Sequence, residues 1–414
     1  MKPSRILSSL GPGLITGAAD DDPSGIATYS IAGAQFGFSM LWVAPLSWPL
    51  MAAVQMMCAR IGMVTGRGLA FALRSRFPRP VVAVAAFALL AANVINIGAD
   101  LAGMAEAAQS VTHLNSHAMV VLFGVAIGAA TVWMRYADIA MVLKWLALAL
   151  FAYVGAAFIV RPEWGEVLKA TVLPSRPSGP SEWSMLVAIL GTTISPYLFF
   201  WQASQEVEEQ KEAGLRTVAS RRGASDDEIV SRKWDVGIGT FFSNLVMFFI
   251  IVTTAATLHA HGIRSITSSR EAAEALRPIA GDFCFILYTV GLIGVGLLAI
   301  PTLSGSAAYA LAEVFGWRQG LDEKLAKARS FYAVVLLSIA VAILIDFTHF
   351  NAMQALYYSA VINGVLSPFL LVGILMVATD RKIMQGQPSS NLGIFAVGVT
   401  TLGMFAAAIA MFVL

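Results

Sequence analysis

From Val81 to Gly98, and again from Phe241 to Leu258, the chain carries no charged residue. Uncharged apolar runs of that length are long enough to approach the ~20 residues that a helix needs to cross a bilayer. Lipid offers no partner for backbone N–H and C=O groups, so such runs are predicted to be helices that satisfy their own backbone. Composition agrees: 13% of residues are charged, about half the ~25% usual in soluble domains, and the mean hydropathy is +0.74.

Eleven apolar segments are predicted as spans, at about 10–35, 38–62, 81–108, 117–135, 139–160, 184–207, 236–258, 282–309, 329–347, 352–378 and 391–413. If the N-terminus is cytoplasmic, 21 Lys and Arg residues fall on the inner side and 6 on the outer. The positive-inside rule therefore predicts a multi-pass inner-membrane protein with its N-terminus inside and its C-terminus outside. No cleavable signal is read at the start, where the first apolar run leads into three aspartates and not a small-residue cleavage site. Cys58 and Cys284 lie inside apolar runs and read as small core residues. The basic residues sit in short loops, which leaves no nucleic-acid signature. All five histidines (His113, His117, His259, His261 and His349) fall near outer ends.

Two spans are interrupted where a membrane helix should be whole. The first contains Ala18-Ala19-Asp20-Asp21-Asp22-Pro23-Ser24-Gly25, and the sixth contains Gly191-Thr192-Thr193-Ile194-Ser195-Pro196-Tyr197. Proline removes a helix hydrogen bond and crowds the carbonyl one turn back. Breaks in spans one and six suggest two five-helix repeats of opposite topology, about 10–160 and 184–378, within one transmembrane domain covering 1–414, with 391–413 as an extra helix. Transporters with inverted repeats bind solutes at such breaks. The first break is acidic, and a charge in the bilayer interior costs at least ~2.5–3.5 kcal/mol. Neither Ile6–Ala19 nor Ile26–Phe38 is long enough to span alone, so the aspartates are expected at mid-membrane, facing a cation.

At these residues the sequence resembles the Nramp family of divalent-metal transporters. Gly11-Pro12-Gly13 through Asp22-Pro23, then Gly33-Ala34-Gln35-Phe36-Gly37, Leu41-Trp42 and Thr65-Gly66-Arg67, is similar to the family's first two helices in order and spacing. Span six around Pro196 and the stretch Gly294 to Trp317 also resemble the family. The resemblance implies an all-α LeuT-type fold with helices 1 and 6 unwound around the metal. Asp22 stands where the family has its motif aspartate. Gly25 stands in place of the asparagine ligand, Ser195 in place of a methionine ligand, and Tyr197 in place of the adjacent histidine. Asp100 is kept, but Gly103 occupies the position of a glutamate linked to proton movement. These departures look like the Nramp-related magnesium transporter branch. The resemblance also suggests Arg329 as a partner for Asp100.

The chemistry of the residues points the same way. Exchanging a thioether for a hydroxyl leaves oxygen donors, which suit Mg²⁺, Ca²⁺ and Mn²⁺. The expected ligand set is the carboxylate of Asp22, the carbonyl of Ala19, the positions of Gly25 and Ser195, and the amide oxygen of Asn363. Asp20 and Asp21 are expected to add negative potential. The cargo expected is partly hydrated Mg²⁺, with Mn²⁺ accepted, moved without protons; no cofactor and no obligatory protein partner are inferred. Glu206, Glu208 and Glu209 are considered as vestibule acids, Glu106 is placed near the outer interface, and Lys211 to Lys233 reads as a solvated loop. A proton-coupled Mn²⁺/Fe²⁺ carrier is the alternative, and an organic-solute carrier of the same fold a more remote one. No paired metal-ligand histidines or Ser/His set suggests an enzyme.

Overall fold

A computed structural model describes residues 20–134, 148–321, 323–348 and 351–414, and all regular elements among them are helical. Helix α1 (Pro23–Phe36) passes through a short 3₁₀ turn, Gly37–Met40, into α2 (Val43–Thr65), and the pair is bent by 110°. A short α3 (Leu69–Arg74) leads to α4 (Arg79–Thr112) and α5 (Ser116–Trp133). The fifth predicted span is described only in its second half, where a 3₁₀ turn precedes α6 (Ala152–Val160). Then come α7 (Trp164–Val172), α8 (Pro180–Thr193), α9 (Pro196–Glu212) and α10 (Asp226–Thr257). Two short helices, α11 (Ser269–Glu274) and α12 (Arg277–Ala280), precede α13 (Cys284–Phe315), α14 (Arg329–Asp346), α15 (Ala352–Thr379) and α16 (Asn391–Val413).

Among the described residues, eight helical stretches are long and apolar enough to cross a membrane, and the bent α1–α2 pair passes the same test. Large apolar side chains such as Leu122, Val125, Phe158, Leu402 and Phe412 are exposed on the outside of the bundle. A face that apolar would be unusual in water, and it fits lipid: this is a multi-pass membrane protein.

The prolines show why some helices stop and others do not. Pro49, Pro301 and Pro368 lie inside α2, α13 and α15 without ending them. Pro23 and Pro196 instead sit at the first positions of α1 and α9, where the missing N–H has no intrahelical acceptor to lose. Before each, the backbone leaves the helix: Asp22 is extended (φ −72°, ψ 170°), as is Ser195 (φ −76°, ψ 132°).

Helix α10 begins ten residues earlier than the apolar pattern suggests. Ser225 and Glu228 form a reciprocal capping box, which satisfies two N-terminal donors, so the expected loop Lys211–Lys233 ends at Ser225. The bundle is held close where side chains are small. A Cβ on Gly191 would lie 2.1 Å from the Ala360 carbonyl oxygen, and one on Gly364 would lie 2.2 Å from that of Val187. Helices α8 and α15 therefore touch backbone to backbone, the close approach that small residues permit in membranes. Elsewhere in the bundle α4 packs along α13, α9 along α2, and α1 along α10.

Candidate metal centre

Asp22 closes the break before α1. Its Oδ1 accepts from the Ser24 hydroxyl at 2.6 Å and from the Gly25 N–H at 2.8 Å. This is an ordinary N-cap, but it uses only one oxygen. The second, Oδ2, accepts from the Asn96 amide at 3.0 Å. Gly25 thus contributes a backbone N–H to the carboxylate, and a Cβ there would meet the Tyr29 ring at 3.4 Å.

Asn96 is the centre of the arrangement. The same Nδ2 also donates to Asp100 Oδ2 at 3.0 Å, one turn along α4, and its Oδ1 accepts from Asn363 Nδ2 on α15 at 3.0 Å. Asn363 is in turn linked to the second break. Its carbonyl accepts from the Ser367 hydroxyl at 2.8 Å, and that hydroxyl also lies 2.7 Å from the carbonyl of Ile194. Ile194 is the residue where α8 ends (φ −119°, ψ 59°), so α15 satisfies a carbonyl that the break sets free. A direct bridge joins α1 and α8 as well, through the Thr192 and Tyr29 hydroxyls at 3.0 Å.

Asp20 and Asp21 lie beside this network against α10. The Ser243 hydroxyl lies 2.7 Å from Asp20 Oδ2 and 3.1 Å from Asp21 Oδ1. Four aspartates, Asp20, Asp21, Asp22 and Asp100, are therefore buried in one region, with exposures of 0%, 6%, 2% and 0%. Three buried oxygens there have no hydrogen-bond partner among the described residues: Asp20 Oδ1, Asp100 Oδ1 and Asn363 Oδ1. Leaving such acceptors unpaired in a dry interior is costly, and oxygens of this kind can take water or a cation as partner. Among the described residues no three His, Cys, Asp or Glu side chains form a metal cage of their own. Any cation here would be held by one or two carboxylates together with amides, hydroxyls, carbonyls and water.

Several expected residues fall differently. Ala19 lies outside the described residues. The Ser195 hydroxyl is within 2.9 Å of the Gly191 carbonyl and 2.6 Å of the Thr192 carbonyl, so its proton is turned back onto the end of α8; only its lone pairs face elsewhere. Tyr197 is fully buried in the first turn of α9. Arg329 does not partner Asp100: it is exposed at the start of α14, whereas Asp100 is enclosed and bonded to Asn96. A long cation at a helix start is free to reach water, and Asn96 one turn away meets the carboxylate first. Glu206 is not a vestibule acid either. It is 1% exposed and forms an ion pair with Arg232 at 2.8 Å, while Arg232 also binds Asp235 at 2.6 Å and Glu209. Glu106 accepts from the Ser269 N–H at 2.9 Å at the start of α11, away from the central network.

The family model described as natural resistance-associated macrophage protein-like matches residues 13–414. The chain belongs to the Nramp family. Membership makes it a transporter and not an enzyme. Curated relatives include the divalent metal cation transporter MntH of Yersinia pestis (strain Pestoides F), 29% identical over 318 residues, which cover 72% of this chain and 71% of the relative. MntH of Yersinia enterocolitica is 29% identical over 309 residues, with the same coverage. Among solved structures, the Eremococcus coleocola manganese transporter in complex with an aromatic bis-isothiourea substituted compound has a TM-score of 0.73 at 19% identity, covering 98% of this chain and 87% of that one. Mhp1, a nucleobase-cation-symport-1 family transporter in a closed conformation, has a TM-score of 0.57 at 14% identity, covering 97% and 90%. These likenesses establish the LeuT-type fold for this Nramp member.

Proposed function

We propose that this Nramp member takes up divalent metal cations, chiefly partly hydrated Mg²⁺ with Mn²⁺ also accepted, through a site at the break between Asp22 and Pro23. The observation that carries the reading is the oxygen surplus around Asp22. Its neighbours in the network are Asn96, Asn363, Asp100 and the hydroxyls of Ser24 and Ser367, with no sulfur atom among the bonded groups. Hard oxygen donors suit Mg²⁺ and Mn²⁺, and Mg²⁺ is usually held through one or two carboxylates while keeping several waters. The sets named on the relatives, divalent metal cations and manganese, are consistent with this class of cargo.

Transport is driven by the membrane potential without proton coupling in this reading. With the N-terminus inside, a dication gains ~4.6 kcal/mol per 100 mV on entry, twice the single-charge figure. None of the four described histidines bonds into the Asp22 network: His117 contacts Asp346, His259 contacts Ala34 and Arg264, His261 bonds the Thr257 carbonyl, and His113 caps the end of α4. A Cβ at Gly103 would lie 2.8 Å from Leu356 Cδ1, so an apolar side chain fills the space beside that position. One observation favours the proton-coupled alternative: Asp20, Asp21 and Asp100 are three further buried carboxylates near Asp22.

Flux into proteoliposomes under an inside-negative potential separates the two. Mg²⁺ and Mn²⁺ uptake should raise internal metal with no internal acidification. Asp22→Ala should lower the flux by at least a hundredfold. Undiminished Mg²⁺ flux in that variant removes the site assignment, and acidification coupled to metal entry removes the uniport reading.

A further inference from the structure

On the lipid-facing side of the bundle, α4, α13 and α14 enclose an apolar groove of about 440 Å³. Phe87, Leu90 and Val94 line one wall from α4, at the spacing of a single helix face, and Val334, Leu337 and Val341 line the other from α14. The α14 residues along the groove run from Ser330 to Val341. At 1.5 Å per residue they cover ~16 Å, close to half of the ~30 Å hydrocarbon core. The groove is thus one leaflet deep.

Its mouth is aromatic and basic. Phe315 and Trp317 stack at 5.1 Å where α13 ends. The Arg79 guanidinium lies 5.3 Å from the Phe315 ring, and its Nε donates to the Val314 carbonyl at 3.1 Å. That contact fixes the group in place while its two terminal nitrogens have no partner among the described residues. In the turn between α13 and α14, Arg318 is paired with Glu323, but Lys324, Lys327 and Arg329 are exposed and form no ion pair among the described residues. Ser330, exposed in the first turn of α14, also lines the mouth. The start of a helix adds positive potential there.

We propose that this groove binds one anionic glycerophospholipid, with its phosphate among Arg79, Arg329 and Ser330 and an acyl chain along α14. The arrangement matches that ligand in two independent respects: the apolar length is that of one leaflet, and the unpaired positive charge sits at the end where a headgroup lies. Basic pockets between membrane helices recognise anionic headgroups in this way. A zwitterionic lipid would fill the groove and bring a phosphate, but its ammonium group would return a positive charge to the basic mouth. A free phosphate would answer the charge but leave the groove empty. In the positive-inside orientation the mouth faces the cytoplasm; the binding itself does not depend on the transported cation.

The test uses the full chain, purified in detergent and stripped of lipid, with bound lipid read by native mass spectrometry. Phosphatidylglycerol and phosphatidylcholine of the same chain length are titrated, and glycerol 3-phosphate is added as competitor. One phosphatidylglycerol should be retained, at least tenfold more tightly than phosphatidylcholine. Arg79→Gln and Arg329→Gln should each weaken it about fivefold, the factor for one basic residue at an anionic surface, while the corresponding Lys variants keep the preference. Leu337→Trp, at an exposed groove position, should weaken both lipids. Equal binding of the two lipids overturns the proposal, as does a preference that survives the double Gln substitution. Displacement by glycerol 3-phosphate at concentrations comparable to the lipid also overturns it, in favour of a simple anion site.

Discussion

Replacing Asn96 with alanine is the most informative perturbation of the centre. The side chain makes three contacts, each at 3.0 Å: one Nδ2 group donates to both Asp22 and Asp100, and Oδ1 accepts from Asn363. Hydrogen bonds to charged groups contribute ~1.5–3 kcal/mol each. The two here share one nitrogen, so they should count for less than two full bonds, and the stranded Asn363 amide adds ~1 kcal/mol or more. A loss of about 4 kcal/mol is expected. Unfolding entropy of ~2.1 cal/mol/K per residue over 414 residues gives ~0.9 kcal/mol/K, so thermal unfolding in detergent without added metal should come ~5 °C earlier. Saturating Mg²⁺ should then raise the transition of Asn96→Ala by more than that of the parent. A cation between Asp22 and Asp100 replaces the donor that was removed, and ligand binding to the folded state alone adds to stability. Equal transitions in the absence of metal, or a Mg²⁺ shift no larger than the parent's, would refute the role assigned to Asn96.

Two further outcomes follow from the same geometry. Ser195→Met introduces a soft donor at the second break and should shift the transport preference toward Mn²⁺ or Cd²⁺ over Mg²⁺; competition flux measures this, and an unchanged order counts against the oxygen-donor argument. Arg232→Ala leaves the buried Glu206 without its cation and should destabilise the protein by ~3–5 kcal/mol. Adding Glu206→Gln should restore part of that loss, and thermal unfolding that shows no restoration would mean the ion pair is not what holds α9 to α10.

Four acidic side chains lie buried inside this membrane protein with few hydrogen-bond donors among the described residues. Asp22 is held by Ser24, Gly25 and Asn96, while Asp20 and Asp21 share the one hydroxyl of Ser243. That is too few donors for so many carboxylate oxygens. A structure with spare buried acceptors is suited to a passing dication, whereas full satisfaction by the protein would leave a cation nothing to gain.

Some of this was legible in the chain by itself. Uncharged runs such as Phe241–Leu258 dictate helices because lipid leaves no other way to bond the backbone. The aspartates before Pro23 mark the break because an unbroken helix would have carried three charges into hydrocarbon. Proline was a poorer guide: Pro196 opens α9 but Pro301 leaves α13 intact, and at the first of these the Ser367 hydroxyl of α15 serves the freed Ile194 carbonyl. Asn96 was missed although it stands one turn before Asp100 on α4, a spacing that puts both on one face. Nothing in the order of residues tells that Asn363, 267 positions later, would complete the contact. Pairings of that kind were settled only by tertiary structure, as was the loss of the expected Arg329–Asp100 pair. Helix positions follow from local periodicity and backbone chemistry, but partners across the bundle depend on which faces the close α8–α15 and α1–α10 packing brings within 3 Å.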